Sequence, residues 1–327
     1  MRAMVIHRFG GPEQLQLAQV PAPQPGPGEL LIRVVFAGVN PADWKCREGR
    51  LQHFFNYQFP FILGFDAAGV VERVGEQVTE YAVGDSVLTS SNQGRGEWGS
   101  YAEYVKSSTD NVAPLPKGID FAQGATIPTA GATAWGAVHD VGAVKAGQKV
   151  LINGGSSNVG MFAIQLAKAA GCEVVATCGP ANLDLVKRLG ADRVIDYHSE
   201  DVLSAAAVWA PNGVDLLIDA VGLNSLPADA TRIIRRGGAL VAIETLMQDI
   251  AGFDAAFAES RGVRLLSNMA AVSRIPEHLR GVVDAIANGR VKTPPYEILP
   301  LEQAGEAHRR VAGGHVCGKL LLRISAG

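Results

Sequence analysis

The sequence has few cysteines, no long apolar run and no excess of positive charge. Its four cysteines, among 327 residues, show no C-x-x-C spacing, and a chain of this length can bury a large core without disulfides. We therefore expect all four to be reduced; they are Cys46, Cys172, Cys178 and Cys317. No stretch approaches the roughly 18 uninterrupted apolar residues of a membrane-spanning helix, so the sequence predicts no membrane span.

The charge balance argues against a nucleic-acid partner. The formal net charge of −3 leaves no basic field for nucleic acid or for an anionic membrane surface. The first residues, MRAMVIHRFGGPEQL, reach a charge and a Gly-Gly-Pro turn before any apolar run of signal length. We therefore expect a cytoplasmic protein, and its length predicts about two domains.

The first ~120 residues predict an all-β, barrel-like module, because short runs of strand-forming residues alternate with turn residues. Prolines at positions 21, 23, 25 and 27 exclude a helix in the connector that they form. The predicted strands are Met4–His7, Leu15–Gln19, Leu30–Val35, Ala67–Val74, Ser86–Thr89 and Tyr101–Val105.

From Lys149 onward, apolar runs alternate with amphipathic stretches. This alternation predicts a doubly wound parallel sheet, because parallel strands need helical crossovers. The predicted strands are Val150–Ile152, Val174–Thr177, Arg193–Ile195, Val214–Asp219, Ala239–Ile243 and Val263–Leu266. The predicted helices are Val159–Ala170, Leu183–Leu189 and Ser225–Arg235.

The C-terminal residues return to the first pattern, with a predicted helix Glu277–Asn288 and a final strand Lys319–Ile324. The sequence therefore predicts an α/β chain in which a Rossmann domain, residues 124–266, is inserted into a β domain, residues 1–123 and 267–327. The cleft between two such domains is the default place for a functional site.

A glycine-rich turn follows the first strand of the predicted parallel sheet. Residues 150–171, VLINGGSSNVGMFAIQLAKAAG, read as a strand, a turn and an amphipathic helix, with the spacing Gly154, Ser157 and Gly160. Backbone N–H groups at such a helix N-terminus bind pyrophosphate. A plain tight turn is the alternative, but the surrounding β units favour a dinucleotide site. The candidate pyrophosphate-binding residues are Ser156, Ser157, Asn158, Val159 and Gly160.

Segments in order along nearly the whole chain are similar to the zinc-independent quinone oxidoreductase branch of the medium-chain dehydrogenase/reductase superfamily. They are AGVNPADWKCREG (37–49), GFDAAGVVERVG (64–75), GSYAEYV (99–105), PTAGATAW (128–135), GADRVIDY (190–197) and GHVCGKLLL (314–322). The resemblance implies a GroES-like catalytic domain that carries a Rossmann domain. That branch usually has Gly where this chain has Ser157 and Asn158, and Asn can adopt the left-handed conformation that a glycine would supply.

The resemblance also implies that the catalytic zinc ligands of related dehydrogenases are missing. Their Cys corresponds to Asn40 and their His-Glu pair to Phe65-Asp66, while PTAGATAW offers no third ligand. Zinc needs three or four N, S or O ligands, and Phe supplies none. The seven histidines show no ligand spacing either. We therefore expect no metal.

Without zinc, a side chain must stabilise charge on the substrate's carbonyl oxygen. Asn40 can donate hydrogen bonds, and Asp43 could orient a neighbour or the nicotinamide ribose. The alternative is that both residues only form a turn and a helix cap, which is common for these residue types. Arg47, Phe54 and Tyr57 follow and are candidate pocket residues, of which Tyr57 could supply a proton.

The second parallel strand ends without the acid that binds the ribose 2′-hydroxyl in NAD-specific enzymes. It ends in Thr177-Cys178-Gly179, and the resemblance places Tyr197 where similar NADPH enzymes contact the 2′-phosphate. We therefore expect NADPH, although Arg or Lys is missing from the loop that follows. Candidates near this phosphate are Cys178, Gly179, Asn182 and Tyr197, with Lys187 and Arg193 nearby in sequence.

The resemblance implies further cofactor candidates in the segments PTAGATAW and GHVCGKLLL and at the ends of other strands. Thr133 fits the nicotinamide wall but could equally be a Thr buried in a helix, and His315 by itself would be a surface histidine. The remaining candidates are Ala220, Val221, Ile243, Val316 and Lys319.

The favoured reaction is hydride transfer to a quinone or an activated C=C bond, with Asn40 stabilising the developing charge. The alternatives are a zinc-free alcohol dehydrogenase, which lacks an obvious base, and a non-enzymatic NADPH-binding protein. The apolar strand Val263–Ser267 at a sheet edge predicts a homodimer.

Overall fold

The computed structural model describes residues 1–91, 93–94, 96–222, 225–227, 229–243, 253–268, 274–314 and 316–325. The chain divides into two compact units, Met1–Thr129 with Thr293–Gly327 and Ala130–Lys292. Within the described ranges, no helix combines the length and apolarity needed to cross a membrane.

The first unit contains the expected β module, whose named strands pair antiparallel except for β15 and β16, which are parallel. Its strands are β1 Arg2–Ile6, β2 Gln16–Gln19, β3 Glu29–Gly38, β4 Phe61–Ile62, β5 Asp66–Val74, β6 Ser86–Ser90, β7 Tyr104–Ser108, β8 Val112–Pro114, β15 Tyr296–Pro300 and β16 Lys319–Arg323. Its helices are α1 Pro41–Arg47, α2 Phe121–Gly124 and α9 Ala304–Gly313. One sheet has the order β2-β1-β4; the other has the order β15-β16-β3-β5-β6-β8, with β7 also paired to β3.

Three neighbouring strands position the polar residues of the first unit. Gly38, at the end of β3, pairs with Leu321 of β16 on one side and with Asp66 of β5 on the other. A Cβ added at Gly38 would lie 2.8 Å from Lys319 Cε and 3.0 Å from Asp66 Cβ. The same Cβ would lie 2.5 Å from the Ala125 carbonyl oxygen, so this position needs glycine, and Lys319 reaches Asp66 across it.

The second unit contains the expected doubly wound parallel sheet. Its strands are β9 Lys149–Asn153, β10 Glu173–Cys178, β11 Arg193–Asp196, β12 Val214–Asp219, β13 Ile234–Ala242 and β14 Arg264–Ser267. They are all parallel, in the order β11-β10-β9-β12-β13-β14, which is the Rossmann order. The helices are α4 Asn158–Ala169, α5 Leu183–Arg188, α6 Val202–Trp209, α7 Ala255–Arg261 and α8 Ile275–Ala287. The chain enters this unit through α3 Pro128–Trp135 and a π-helix, Gly136–Val141.

Two sequence predictions of secondary structure are wrong. The predicted helix Ser225–Arg235 is, in its described residues, a 3₁₀ turn at Ala230–Ile233 that leads into β13 at Ile234. Ile234 is fully buried in the sheet, so packing outweighs the helical spacing. The predicted strand Tyr101–Val105 begins only at Tyr104.

The domain boundaries also differ from those predicted. The units divide at 129/130 and 292/293, whereas the sequence predicted 123/124 and 266/267. Helix α8 belongs to the second unit because His278 Nε2 lies 3.1 Å from Asp140 Oδ2, and because Gln165 Nε2 donates to the Lys292 carbonyl at 3.0 Å. The apolar spacing of α8 predicts a helix but does not say against which unit it packs.

Candidate active site

Asn40 and Asp43 form the N-terminal cap of α1. The Asn40 N–H donates to Asp43 Oδ2 at 2.7 Å, and the Phe65 N–H donates to Asp43 Oδ1 at 3.2 Å. Burial raises the pKa of the Asp43 carboxyl to about 7; the hydrogen bond from Asn40 opposes this shift and the charge of Asp66 adds to it. The capping role considered from the sequence is therefore present, and it leaves the Asn40 side chain to make other contacts.

The Asn40 side chain belongs to a buried ionic cluster with Lys319 and Asp66. The Lys319 ammonium donates to Asn40 Oδ1 and, at 2.8 Å, to Asp66 Oδ2, and Asn40 Nδ2 donates to the same carboxylate oxygen at 2.9 Å. The other oxygen, Asp66 Oδ1, accepts from the N–H and the hydroxyl of Thr129. Lys319, expected from the sequence near the cofactor, has 0% exposure of its side chain and is held inside the first unit.

These residues do not fit a catalytic zinc ion. Phe65 has no ligand atom, and the oxygens of Asn40 and Asp66 already accept from an ammonium ion. The described residues contain no group of three or more His, Cys, Asp or Glu side chains that could hold a metal.

A second buried chain of hydrogen bonds, from Arg47 through His308 to Tyr101, ends close to Asp43. Arg47 Nη1 lies 3.1 Å from His308 Nδ1, and His308 Nε2 lies 3.1 Å from the Tyr101 hydroxyl. A guanidinium only donates, so Nδ1 accepts and Nε2 carries the hydrogen that goes to Tyr101. The Tyr101 hydroxyl is then free to donate to the Asp43 carboxyl. Burial, with the nearby Arg47, lowers the pKa of His308 to about 3, so the ring stays neutral.

Tyr57 lies in an aromatic cluster rather than in either polar chain. Its ring contacts Phe9, Phe61 and Phe55 at centroid distances of 5.2, 4.9 and 6.3 Å. Its hydroxyl is buried and has no oxygen or nitrogen partner among the described residues. Burial, together with the neighbouring Cys46, raises the pKa of Tyr57 far above its ordinary value, so it keeps its proton.

The two other pocket candidates of this segment, Arg47 and Phe54, lie in different surroundings. Arg47 is buried in the chain with His308, whereas Phe54 is 45% exposed. Burial raises the pKa of the Cys46 thiol to about 12, so this thiol is not a nucleophile.

In the second unit, the glycine-rich turn between β9 and α4 forms a cradle for an anion. Ser157 caps the helix, with its Oγ accepting from the Gly160 N–H at 3.0 Å. Gly154 has φ +81°, and a Cβ at Gly160 would overlap the Gly154 carbonyl, so both positions need glycine. Ser157 has φ −70°, and Asn158 is the first residue of α4. Neither residue therefore adopts the left-handed conformation that we expected where related proteins have glycine.

The free polar groups of this turn fit a pyrophosphate. Within the described parts of the chain, the N–H groups of Ser156, Asn158 and Val159 have no acceptor. Unpaired donors at a helix N-terminus are the usual phosphate site of this fold.

A buried polar network below the turn was not predicted. Asn153 Nδ2 donates to Asp219 Oδ1 at 2.9 Å, and the Thr177 hydroxyl donates to Asn153 Oδ1 at 2.8 Å. Thr177 Oγ1 in turn accepts from the Gly154 N–H at 3.0 Å. The signal in the sequence was the polar residue that ends the apolar runs VLIN and LLID.

Asp219 brings three predicted cofactor residues to the turn. Its Oδ1 accepts from the Val221 N–H at 3.2 Å, and its carbonyl accepts from the Ile243 N–H at 3.2 Å. The Ala220 N–H donates to the Asn153 carbonyl at 3.1 Å. Ala220, Val221 and Ile243 therefore lie beside the turn at the carboxyl ends of the strands.

The residues predicted near the 2′-phosphate lie around the end of β10. A Cβ at Gly179 would lie 3.3 Å from the Tyr197 hydroxyl, so this hydroxyl packs against the glycine. Tyr197 is 49% exposed. Asn182 caps α5. Cys178 is buried, and burial raises the pKa of its thiol to about 11. Arg193 is paired with Glu200 at 2.5 Å, which leaves the exposed Lys187 as the basic side chain considered from the sequence.

The remaining cofactor candidates, Thr133, Val316 and His315, are not among the hydrogen-bonded groups described above. The Thr133 carbonyl accepts from Asn268 Nδ2 at 3.2 Å, and the residue is half-buried in α3. Val316 is half-buried in the first unit. His315 lies outside the described residues.

Two family models and several known proteins match the chain. An alcohol dehydrogenase GroES-like domain model matches residues 26–117, and a zinc-binding dehydrogenase model matches residues 189–322. The chain is 32% identical to a chloroplastic quinone-oxidoreductase homolog of Spinacia oleracea, over 98% of this chain and 99% of that protein. It is 35% identical to the chloroplastic NADPH-dependent alkenal/one oxidoreductase of Arabidopsis thaliana, over 98% of this chain and 79% of that protein. The crystal structure of an NAD-dependent alcohol dehydrogenase matches with a TM-score of 0.89 and 30% identity, over 99% of this chain and 100% of that one.

Proposed function

The chain belongs to the quinone oxidoreductase branch of the medium-chain dehydrogenase/reductase superfamily, and on that premise we propose that it reduces a quinone or an activated C=C bond with NADPH and without zinc. Its family makes it an oxidoreductase that binds a nicotinamide cofactor. The observation that carries the proposal is the Asn40 amide, which is held by Lys319 and Asp66 where zinc-dependent relatives would have a ligand.

Asn40 supplies the hydrogen bond that the substrate's carbonyl oxygen needs. One Nδ2 hydrogen is used by Asp66, and the other has no acceptor in the part of the chain that the structure describes. Bound NADPH would supply the hydride. As negative charge moves onto the carbonyl oxygen, a donor fixed before the reaction stabilises the transition state without reorganisation. Because burial raises the pKa of Tyr57 far above its ordinary value, its hydroxyl is a poor acid, and the proton comes from solvent.

Turnover across a panel of substrates tests this function. We expect NADPH oxidation with ortho- and para-quinones, enones and enals, and little with simple ketones, because the latter have no electrophilic alkene carbon. Primary alcohols with NADP⁺ should react poorly. The described residues around Asn40 contain no set of ligands for a zinc ion that would activate a hydroxyl. Brisk alcohol oxidation by a protein that ignores every quinone and enone would contradict the proposal.

The same assay tests independence from zinc, which matters because one matching family model carries zinc in its name. Dialysis against a strong chelator should leave quinone turnover unchanged. Loss of turnover that zinc restores would contradict the proposed independence from zinc.

Alcohol dehydrogenation is the second candidate, favoured by the match to an NAD-dependent alcohol dehydrogenase structure. The Asp43 carboxyl, whose pKa burial raises to about 7, is the titratable group nearest to Asn40 in the cap. Two groups already donate to it, namely the N–H groups of Asn40 and Phe65. It is therefore poorly placed to accept a proton from an alcohol.

For the cofactor, we propose NADPH with modest discrimination against NADH. The support is the Tyr197 hydroxyl over Gly179 and the lack of an acid at the end of β10. Tyr197→Phe should raise the KM for NADPH by about tenfold or more and leave that for NADH unchanged, because a hydrogen bond to a charged group contributes ~1.5–3 kcal/mol. Tyr296→Phe, at an exposed tyrosine of the first unit, is the matched control. A higher kcat/KM with NADH in the unaltered protein would contradict this assignment.

We also propose a homodimer that pairs the edges of the Rossmann sheets. β14 is the edge strand, and Leu265 on it is 43% exposed. An exposed apolar edge invites pairing with another strand. Light scattering should give a dimer at micromolar concentration and a monomer for Leu265→Lys. Val208→Lys, at an exposed valine of α6, should leave the dimer intact; a monomeric unaltered protein would remove the assignment.

A further inference from the structure

The three charged or polar side chains around Asn40 define which of its atoms remains available. The side-chain oxygen accepts from the Lys319 ammonium, and one hydrogen of Nδ2 goes to Asp66 Oδ2 at 2.9 Å. The Asn40 backbone is fixed independently, by the hydrogen bond of its N–H to Asp43 at 2.7 Å. A rotation of the amide would exchange its oxygen and nitrogen and break both side-chain bonds. One N–H therefore remains, with a fixed direction.

The ammonium also changes the strength of that remaining donor. A positive charge on an amide oxygen draws electron density from the nitrogen, which makes the N–H groups better donors. Water does not screen this charge, because Lys319 and Asp66 have 0% exposed side chains, while the Asp66 carboxylate on the other N–H opposes part of its effect.

Stability alone does not explain this arrangement. A buried ion pair is often no more stable than well-packed apolar residues of the same volume. The chain nevertheless buries Lys319 and Asp66 together, with both side chains 0% exposed. Both charged groups are hydrogen-bonded to the neutral side chain of Asn40.

We propose that Lys319 is a positioning residue that acts through Asn40, orienting its amide and polarising the remaining N–H toward the substrate oxygen. The proposal rests on the proposed reduction of a carbonyl-conjugated substrate. Lys319 itself does not touch the substrate, and its contribution therefore exists only while Asn40 is present.

A double-mutant cycle tests this dependence. The variant Lys319→Met with Asp66→Asn removes both charges together. The new amide oxygen at position 66 can still accept from Thr129, but its nitrogen then faces Asn40 Nδ2 in place of a carboxylate oxygen, so Asn40 loses both partners that orient and polarise its amide. With Asn40 present, this neutral pair should lower kcat by about tenfold and leave the KM for NADPH unchanged, in line with an oxyanion donor that is weakened but not removed. In the Asn40→Ala background the same pair should change kcat by less than about threefold, because the effects of coupled residues are not additive.

Lys106→Met is the control for losing a lysine from an ion pair of the same unit, since Lys106 pairs with Glu97 and Glu29 at the surface. It should leave kcat unchanged. If the neutral pair lowers kcat by the same factor with Asn40 and with Ala at position 40, the proposal is overturned, because Lys319 would then act independently of the amide. An unchanged kcat for the neutral pair would overturn it as well.

A spectroscopic measurement separates this inference from the proposed function. The side-chain amide protons of Asn40, assigned by their loss in Asn40→Ala, should resonate downfield and shift upfield in the neutral pair. An unchanged resonance would refute the polarisation whatever the activity. If the resonance shifts as expected but the protein reduces no quinone or enone, the role of Lys319 toward the amide is supported and the proposed reaction is refuted.

Discussion

Replacing Lys319 by methionine alone is expected to lower the free energy of unfolding by about 3–5 kcal/mol. The change leaves Asp66 buried and charged, with Thr129 and Asn40 as its remaining donors. It also leaves Asn40 Oδ1 without a donor, and an unpaired buried polar atom adds to the cost. Urea denaturation measures the loss.

The matched control is the neutral pair, Lys319→Met with Asp66→Asn. It removes the uncompensated charge and should recover most of the lost stability, because breaking a buried pair costs more than replacing both partners. If Lys319→Met costs less than about 1 kcal/mol, the ion pair is not the buried, water-free contact that the side-chain exposures indicate.

Replacing Asn40 by alanine is expected to lower kcat by about 100-fold, which corresponds to ~3 kcal/mol for one donor of an oxyanion site. The KM for NADPH should hardly change, because the pyrophosphate cradle and Tyr197 lie in the second unit. Steady-state kinetics at saturating cofactor, with a quinone and an enone, measure the effect.

Asn56→Ala controls for the loss of an exposed asparagine in the same unit and should leave kcat within about twofold, since surface changes are usually small. The fraction of folded Asn40→Ala protein has to be measured at the assay temperature. A fully folded variant with unchanged kcat would show that the amide does not contact the reacting oxygen.

Local patterns in the sequence predicted most of the fold. The apolar runs of the second unit recur as β9 to β14, with ends that differ by a few residues, because buried parallel strands are continuously hydrophobic. The turn at Gly154 was predicted for the same reason, since a strand, a glycine turn and an amphipathic helix are neighbours in the chain. The prediction of a helix at Ser225–Arg235 was wrong because helical spacing over a short stretch does not exclude a buried strand such as β13.

The candidate site was predictable only where its residues are close in sequence. Asn40 and Asp43 were found together because they belong to one cap. The contact of Lys319 with Asn40 joins residues 279 positions apart, and that of Arg47 with His308 joins residues 261 positions apart. No local pattern in a single sequence contains such pairings, so Lys319 was assigned to the cofactor and His308 to no role.

The most direct test of the proposed reaction follows a deuterium atom. Chelator-treated protein is given NADPH that carries deuterium in the transferable position on nicotinamide C4, together with an α,β-unsaturated ketone. The proposed function predicts a saturated ketone with the deuterium on the β-carbon. An allylic alcohol with deuterium on the carbonyl carbon, or a product that forms only after zinc is added, would contradict it.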